Sequence, residues 1–305
     1  MIHHVFANRS NIGDWLSARA VQRLLRCDSI VEDLCDEPFV PATLERLRAA
    51  GPDDFVLIGG GGLFMNYFEP FWEGFEPIAP RVRFAIWGVG CCDYTWKDSQ
   101  PSWRRISSIV RASQLTAVRD DLTRTYLAPC AIPPAVGCPS LTVVRRRPRG
   151  RGILHVDSYD VVGADIFHYT ENVARRAARQ SGRPFRRTNN LIDPGSEQAL
   201  AATLCHYADS DVVVSSRLHG CVIGLAMGRA VVAVAGDRKV DAFMREAGLA
   251  DWVLDVSQVD QLRERVLAAC AQPVPRRFLA RARQRNRDVA ARIRRLLGGI
   301  GAPPS

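Results

Sequence analysis

Residues 209–237 limit what this chain can fold into more than any other stretch. They read DSDVVVSSRLHGCVIGLAMGRAVVAVAGD. The β-branched run at 212–214 predicts a buried parallel strand, residues 218–227 predict a helix, and residues 231–234 predict a second buried strand. Gly228 stands at the expected end of the helix, where a left-handed residue commonly closes the last turn. This order predicts a parallel α/β sheet, in which ligands bind at the carboxyl ends of the strands.

A cation and an imidazole lie where the first of these strands passes into the helix. Arg217 and His219 flank Leu218, so a tight turn could direct both side chains toward one ligand. The amino end of a helix favours an anionic ligand. A hydroxyl of Ser215 or Ser216 is expected to cap the helix. The motif alone leaves open an alternative, in which the arginine pairs with a surface carboxylate and the histidine caps its own helix.

The amino-terminal strand leads into another turn with polar residues. Residues 2–7 predict the strand, and Asn11, Gly13 and Asp14 lie before a helix expected at about 15–25. Gly13 would allow another group to approach the backbone closely, and Asp14 could cap the helix. Any strand-to-helix turn can have this composition, so the motif by itself does not identify a site.

Two more predicted strands end in residues suited to an anion. Residues 55–58 form a buried apolar run followed by four glycines at 59–62, whose bare N–H groups can face a ligand. These glycines fit neither the dinucleotide-binding pattern nor the P-loop pattern, and a crowded turn at the sheet edge is the alternative. A strand predicted at 115–118 ends at Arg119, so this cation and Arg217 are both expected at carboxyl strand ends.

The chain of 305 residues is long enough for two domains of ordinary size. Residues 145–152, RRRPRGRG, are charged, contain proline and glycine and lack an apolar period, which is typical of a linker. Strands and helices alternate on both sides of it. We therefore predict an α/β protein with Rossmann-like domains at 1–146 and 152–275. The basic segment 276–305 is predicted to form a helix and tail that pack back on the N-terminal domain.

The formal net charge of +9 suggests an anionic partner. No nucleic-acid motif or aromatic-interleaved basic patch accompanies the arginines, so nucleic acid is not an expected partner. A solvated basic face is the preferred interpretation, and peripheral contact of residues 276–295 with an anionic membrane is a second one. The sequence shows no signal-peptide layout, no membrane-spanning apolar run, and nine cysteines without metal-ligand spacing. We expect a cytoplasmic protein without a metal site, with any membrane contact on the inner face.

Six motifs in order resemble those of the polysaccharide pyruvyl transferase family and cover the chain up to about Gly236. They are NIGD at 11–14, IGGGG at 58–62, WGVG at 87–90, VRD at 118–120, GCPSL at 137–141 and SSRLHG at 215–220. Each motif is unspecific alone, and their shared order carries the resemblance. One departure is Cys138, which stands in a turn where the family usually has an acidic residue, so no carboxylate is expected to act there.

The resemblance implies two Rossmann-like domains with a central cleft, like the fold of the GT-B glycosyltransferases. It implies transfer of the enolpyruvyl group of phosphoenolpyruvate, without a cofactor, to two hydroxyls of a free or lipid-linked sugar. The products would be a cyclic pyruvate ketal and phosphate, in the synthesis of surface polysaccharide or cell-wall glycan. Carried onto this sequence, the catalytic residues are His219 and Arg217. Asp14 and Asp120 either support them as nearby carboxylates or cap their helices. The implied substrate-binding residues are Asn11, Gly13, Asp14, Gly60, Gly61, Gly62, Arg119, Ser215, Ser216, Leu218 and Gly220.

These residue types suit that chemistry. Phosphoenolpyruvate carries a phosphate and a carboxylate, which Arg119 and Arg217 could bind with charge-assisted hydrogen bonds. The methylene carbon of the donor must gain a proton and the sugar hydroxyls must lose theirs, and His219 could serve as acid or base. Arg217 and the helix end would lower the pKa of His219, and bound phosphate would raise it. Two other functions stay open: a nucleotide-sugar-dependent glycosyltransferase of the same fold, and a non-catalytic glycan-binding or scaffold protein.

Overall fold

The computed structural model describes residues 1–35, 39–156 and 159–298, so the predicted tail beyond 298 lies outside the described residues. The described strands are β1 (Ile2–Phe6), β2 (Ile30–Asp33), β3 (Phe55–Ile58), β4 (Gly61–Phe64), β5 (Arg83–Trp87), β6 (Val89–Cys91), β7 (Leu115–Ala117), β8 (Ile153–Val156), β9 (Phe185–Thr188), β10 (Val212–Ser215), β11 (Ala230–Ala235) and β12 (Val253–Asp255). The described α-helices are α1 (Ile12–Leu25), α2 (Phe39–Arg48), α3 (Glu69–Phe75), α4 (Trp103–Ala112), α5 (Asp121–Tyr126), α6 (Tyr159–Val162), α7 (Ala164–Gln180), α8 (Glu197–Ala208), α9 (Leu218–Met227), α10 (Arg238–Glu246), α11 (Leu262–Ala268) and α12 (Arg276–Gly298).

Two five-stranded parallel sheets form the frame of the molecule. The first has the strand order β2-β1-β3-β5-β7, and the second has the order β12-β11-β10-β8-β9. Strands covered on both faces need apolar side chains at successive positions, and β3, β8 and β11 are buried along their whole length. The predicted α/β class with Rossmann-like sheets is confirmed, with one sheet on each side of residues 145–152. The domain limits given above stay a prediction.

The four-glycine segment is only partly the turn that the sequence predicts. Gly61 and Gly62 begin β4, which pairs in parallel with β6. An added Cβ at Gly59 would lie 1.8 Å from the carbonyl oxygen of Trp87, and one at Gly60 would meet a side chain of α1 at 2.3 Å. Gly61 has a φ of 95°, which side chains with a Cβ rarely adopt. Close packing against β5 and α1 therefore requires these glycines, as in the crowded-turn alternative.

Helix α12 packs on the first sheet. Its apolar face joins the buried cluster around Trp87. Trp87 Nε1 donates to Asn286 Oδ1 at 2.9 Å, and Asn286 Nδ2 donates to the carbonyl oxygen of Val136 at 2.9 Å. Nearer the end of the helix, Arg83 Nη2 donates to the carbonyl oxygen of Leu296 at 2.6 Å. Apolar burial and paired polar groups thus hold the last helix against the first half of the chain.

The two halves of the chain meet on both sides of a shared space. Ile12 N donates to the carbonyl oxygen of Asn190 at 3.0 Å, which joins the start of α1 to the segment after β9. Thr95 N donates to the carbonyl oxygen of Gly236 at 3.2 Å, which joins the segment after β6 to the end of β11. These contacts bring the carboxyl ends of strands from both sheets to one place.

Candidate functional site

A cavity of about 500 Å³ lies between the sheets, where the chain leaves β1, β7, β10 and β11. This volume is in the range of small-molecule pockets. The predicted site residues that line it are Asn11, Asp14, Gly62, Arg119, Ser216, Arg217, Leu218 and His219. The predicted residues that stand outside its lining are Gly13, Gly60, Gly61, Asp120, Ser215 and Gly220.

Two of the outlying glycines permit close packing near His219. An added Cβ at Gly13 would lie 2.0 Å from His219 Cγ. An added Cβ at Gly220 would lie 2.1 Å from Ser215 Oγ. Both distances are far below van der Waals contact, so any side chain would force α1 or the end of β10 away. These glycines therefore shape the site without touching its space.

The ring of His219 is buried in the first turn of α9, with 7% of the residue exposed. Its Nδ1 is 3.7 Å from Asp14 Oδ1, and its Nε2 is 3.6 Å from Cys138 Sγ. Burial lowers the pKa of His219 well below 6.5, and the cations around the cavity lower it further. The imidazole is therefore neutral near pH 7. The sequence leaves the direction of this shift open, and in the structure the pKa is lowered with burial rather than Arg217 as the main cause.

Asp14 is the titratable neighbour of His219. Its carboxyl is buried in the first turn of α1. Burial raises the pKa of Asp14 from 3.8 to about 6, although nearby cations act in the opposite direction. A neutral imidazole and a carboxyl that titrates near neutrality thus face each other. The 3.7 Å separation is longer than a hydrogen bond, so a small movement would be needed for proton transfer between them.

Two predicted helix caps are wrong. Asn11, rather than Asp14, caps α1, and its Oδ1 accepts the N–H two residues further on at 3.0 Å. The helix begins earlier than predicted, which leaves Asp14 in its first turn and beside His219. At α9 the N-cap residue is Arg217, so neither Ser215 nor Ser216 caps the helix. Ser215 Oγ instead accepts the Arg217 N–H at 3.1 Å, because the backbone stays extended through Arg217.

Arg119 is buried and held by its neighbour Asp120. Arg119 Nε donates to Asp120 Oδ2 at 2.9 Å, and Arg119 Nη2 donates to the carbonyl oxygen of Cys91 at 3.4 Å. Asp120 Oδ1 also accepts the Thr123 N–H at 2.9 Å, which caps α5. Asp120 thus caps α5 and fixes the guanidinium of Arg119 at the cavity wall, and its support of the catalytic residues stays a prediction.

Arg217 reaches the cavity with unused hydrogen-bonding capacity. Its Nε is buried and has no hydrogen-bond partner among the described residues. Within the same part of the chain, no carboxylate lies within ion-pair distance of its guanidinium, so the surface-pair alternative is not found there. An unsatisfied buried donor costs free energy, which an anion in the cavity would recover.

Lys239, which no sequence motif indicated, also lines the cavity. It lies in the first turn of α10, and its Nζ is 2.5 Å from Asp237 Oδ2 and 3.0 Å from Cys92 Sγ. Lys239 follows β11 as Arg217 follows β10, so the same strand-end argument could have identified it. No sequence pattern indicated the contact of Cys138 with His219 either, because the two residues are far apart in the sequence.

Metal ligation and membrane spanning find no support in the described residues. They contain no group of three or more His, Cys, Asp or Glu side chains arranged to hold a metal ion. None of the described helices is both long and apolar enough to cross a bilayer. The cationic residues that line the cavity are Lys97, Arg119, Arg217 and Lys239.

Comparisons with known proteins agree with the motif pattern. The model of a family described as polysaccharide pyruvyl transferase matches residues 11–238. This range includes all the predicted site residues and most of the chain. None of the curated proteins matches the sequence.

Solved structures resemble this protein at low sequence identity. UDP-GlcNAc 2-epimerase from Neisseria meningitidis, bound to UDP-GlcNAc, is 10% identical, with 96% of this chain and 99% of that chain covered and a TM-score of 0.64. The Methanocaldococcus jannaschii UDP-GlcNAc 2-epimerase in complex with UDP-GlcNAc and UDP is 9% identical, with 96% and 99% covered and a TM-score of 0.62. The S. aureus MnaA–UDP structure is 9% identical, with 100% and 98% covered and a TM-score of 0.59. These likenesses establish a GT-B-like α/β fold and no activity.

Proposed function

The chain belongs to the polysaccharide pyruvyl transferase family, and on that premise we propose that it moves the enolpyruvyl group of phosphoenolpyruvate onto two hydroxyls of one sugar. The product would be a pyruvate ketal in a surface polysaccharide or cell-wall glycan. One observation carries the proposal. The cavity lined by cations also contains a neutral imidazole beside a carboxyl that titrates near neutrality.

The cations of the cavity suit a donor with two anionic groups. Arg119 and Lys239 are already paired with Asp120 and Asp237, so their charges are fixed in position and partly compensated. Arg217 has donors that no described residue uses. We therefore assign Arg217 to direct, charge-assisted hydrogen bonds with the donor, and the two paired cations to longer-range stabilisation of its charge.

The reaction needs one proton delivered and two removed. Protonation of the methylene carbon makes the adjacent carbon cationic, the first sugar hydroxyl adds there, the bond from that carbon to the phosphate oxygen breaks, and the second hydroxyl closes the ketal. Of the two protons released by the hydroxyls, one balances the proton gained by the new methyl group and the other leaves with phosphate. A protonated carboxylic acid and a neutral imidazole are the acid and base that this sequence of steps requires.

Asp14 and His219 divide these roles. Asp14, with a pKa of about 6, can carry the proton that goes to the methylene carbon. His219, neutral before the donor binds, can take the proton from a hydroxyl. The negative charge of the bound donor would raise the pKa of both groups, which helps Asp14 to hold its proton and His219 to accept one. Their 3.7 Å separation allows the proton to return to Asp14 between steps after a small movement.

A cytoplasmic location is part of the proposal, with lipid-linked acceptors reached at the inner face of the membrane. The test is to incubate the protein with phosphoenolpyruvate and a panel of lipid-linked and nucleotide-linked sugars. Mass spectrometry should find a pyruvate adduct on one acceptor, together with an equal amount of released phosphate. Reactions without phosphoenolpyruvate and with the Arg217→Ala variant are the controls. Transfer of a sugar from a nucleotide-linked donor, with no pyruvate adduct, would instead identify the glycosyltransferase alternative.

A further inference from the structure

A second cavity, of about 920 Å³, shares no lining residue with the candidate site. We call it the arginine cavity. It lies between residues 145–151 on one side and α8 and the end of α9 on the other. The arginines that line it are Arg145, Arg147, Arg149, Arg151 and Arg186. Neither the fold nor the pyruvyl-transfer proposal explains why so many cations surround one space.

The arginine segment is held in place rather than free. Arg147 N donates to the carbonyl oxygen of Met227 at 3.3 Å, and Arg151 N donates to the carbonyl oxygen of Asp209 at 3.0 Å. An added Cβ at Gly150 would lie 2.1 Å from the carbonyl carbon of Asp209, so the segment runs directly against the end of α8. Because its backbone is already ordered, a ligand would lose little binding free energy in arranging these cations.

Carboxylates compensate little of this charge. The acidic residue in the described wall is Asp209, and its Oδ2 is 3.5 Å from Arg186 Nη2. Arg186 Nη1 is buried and has no hydrogen-bond partner in the described ranges. In those ranges no carboxylate lies within 4.0 Å of Arg147 or Arg149, both of which are exposed. The cavity therefore retains a large excess of positive charge.

Arg229 adds a buried cation next to the same segment. It is 2% exposed, and none of its three guanidinium nitrogens has a hydrogen-bond partner among the described residues. Burial lowers the pKa of Arg229, and the charges of Arg149 and Arg146 lower it further, whereas Asp211 and Asp209 act in the opposite direction. Arg149 and Arg146 thus add positive charge next to a buried guanidinium whose charged form is already disfavoured by burial. An anion bound at the segment would relieve this repulsion.

We propose that the arginine cavity binds a diphosphate group. A guanidinium can bind two phosphate oxygens at once, and five arginines in the lining of one cavity suit two linked phosphates better than one. The remaining wall is partly apolar, and its residues Leu16, Val143 and Leu204 continue into an adjoining groove of about 490 Å³. The diphosphate could therefore come from a soluble molecule or from the headgroup of a lipid whose chain follows this groove. The site does not depend on pyruvyl transfer.

Isothermal titration calorimetry of the full chain with inorganic diphosphate tests the site. The double variant Arg147→Gln with Arg149→Gln should raise the Kd by about tenfold or more, because charge-assisted hydrogen bonds are lost. The control is Arg281→Gln with Arg292→Gln, which removes the same charge from exposed positions of α12. It should bind diphosphate nearly as tightly as the parent. Parental affinity in the cavity variant, or an equal loss in the control, would overturn the proposal.

Binding in the candidate site must be separated from binding in the arginine cavity. The Arg217→Gln variant changes the former cavity and leaves the latter intact. Diphosphate binding that survives Arg217→Gln and is lost in the Arg147 and Arg149 double variant supports the second site. The reverse pattern would overturn it while leaving the proposed function untouched.

Farnesyl diphosphate distinguishes the two sources of the diphosphate. If it binds more tightly than inorganic diphosphate, and Leu204→Ser removes the gain, the ligand is a lipid headgroup with its chain in the groove. If the two bind equally, the ligand is a soluble diphosphate. Both results require the cavity arginines. Binding of farnesyl diphosphate that the Arg147 and Arg149 double variant leaves unchanged would contradict the site.

Discussion

Replacing Arg217 by alanine should weaken phosphoenolpyruvate binding without weakening the fold. Its guanidinium lines the cavity, and its buried Nε has no hydrogen-bond partner among the described residues. Folding should therefore lose little when the side chain is removed. A charge-assisted hydrogen bond contributes about 1.5–3 kcal/mol, so the Kd for the donor should rise by roughly 10- to 150-fold.

Arg119→Ala provides the contrast. The substitution leaves Asp120, which is 3% exposed, buried without its guanidinium partner at 2.9 Å. Removing one partner of a buried ion pair costs about 3–5 kcal/mol of stability. This variant should thus lose unfolding free energy as well as donor affinity, whereas Arg217→Ala should lose only donor affinity.

Calorimetry with phosphoenolpyruvate and unfolding in denaturant measure the two quantities on the same samples. Arg281→Ala, at an exposed position of α12, is the control for loss of one positive charge. Parental donor affinity in Arg217→Ala would refute the assignment of Arg217 to the donor. A loss of stability in Arg217→Ala as large as in Arg119→Ala would refute the claim that its guanidinium is unused in the fold.

Other variants test the proton-transfer groups and the basic helix. His219→Ala should keep most of the affinity for phosphoenolpyruvate but slow phosphate release by roughly 10²–10⁴-fold. His219→Gln should be similarly slow, because the amide cannot titrate. Near-parental turnover in the Gln variant would show that His219 only binds the ligand. Folding raises the pKa of Asp14 from 3.8 to about 6, so the folded state favours the protonated carboxyl. The contribution of Asp14 to the free energy of unfolding is therefore fully present below pH 3.8 and is lost as the pH rises through about 6. This pKa difference corresponds to roughly 3 kcal/mol in the free energy of unfolding. The Asp14→Asn variant should lack this part of the pH dependence, and a pH dependence of unfolding equal to that of the parent would contradict the raised pKa. Residues 276–295 should bind anionic vesicles, and each arginine near the membrane surface should contribute about 1 kcal/mol to the binding free energy. Salt should weaken this binding, and vesicle binding that is absent or insensitive to salt would contradict the membrane contact.

The sequence predicts the buried strands and helix α9 well, because local patterns determine them. Helix α9 has the predicted bounds, and Gly228 ends it with a φ of 80°. The strands predicted at 55–58 and 212–214 also lie where the apolar runs place them. Buried parallel strands leave a continuous apolar signal, and glycine closes a helix by its own backbone preference.

The chemistry of the site depends on contacts that no local pattern contains. Asp14 faces His219 across more than two hundred positions of sequence, and the close approach requires the bare Cα of Gly13. Its role as a cap was predicted wrongly because Asn11 has an equally suitable side chain and starts the helix earlier. The sequence likewise cannot show that burial, more than charge, sets the pKa of His219.

The central claim is that this cavity joins pyruvate to a sugar. The most direct measurement uses phosphoenolpyruvate labelled with ¹³C at its second carbon, an acceptor selected from the panel, and nuclear magnetic resonance of the product. We expect the enol carbon signal to be replaced by a ketal carbon signal coupled to two positions of one sugar, with one phosphate released for each ketal formed. Release of free pyruvate without a sugar-linked carbon, or no reaction of phosphoenolpyruvate with any acceptor, would contradict it.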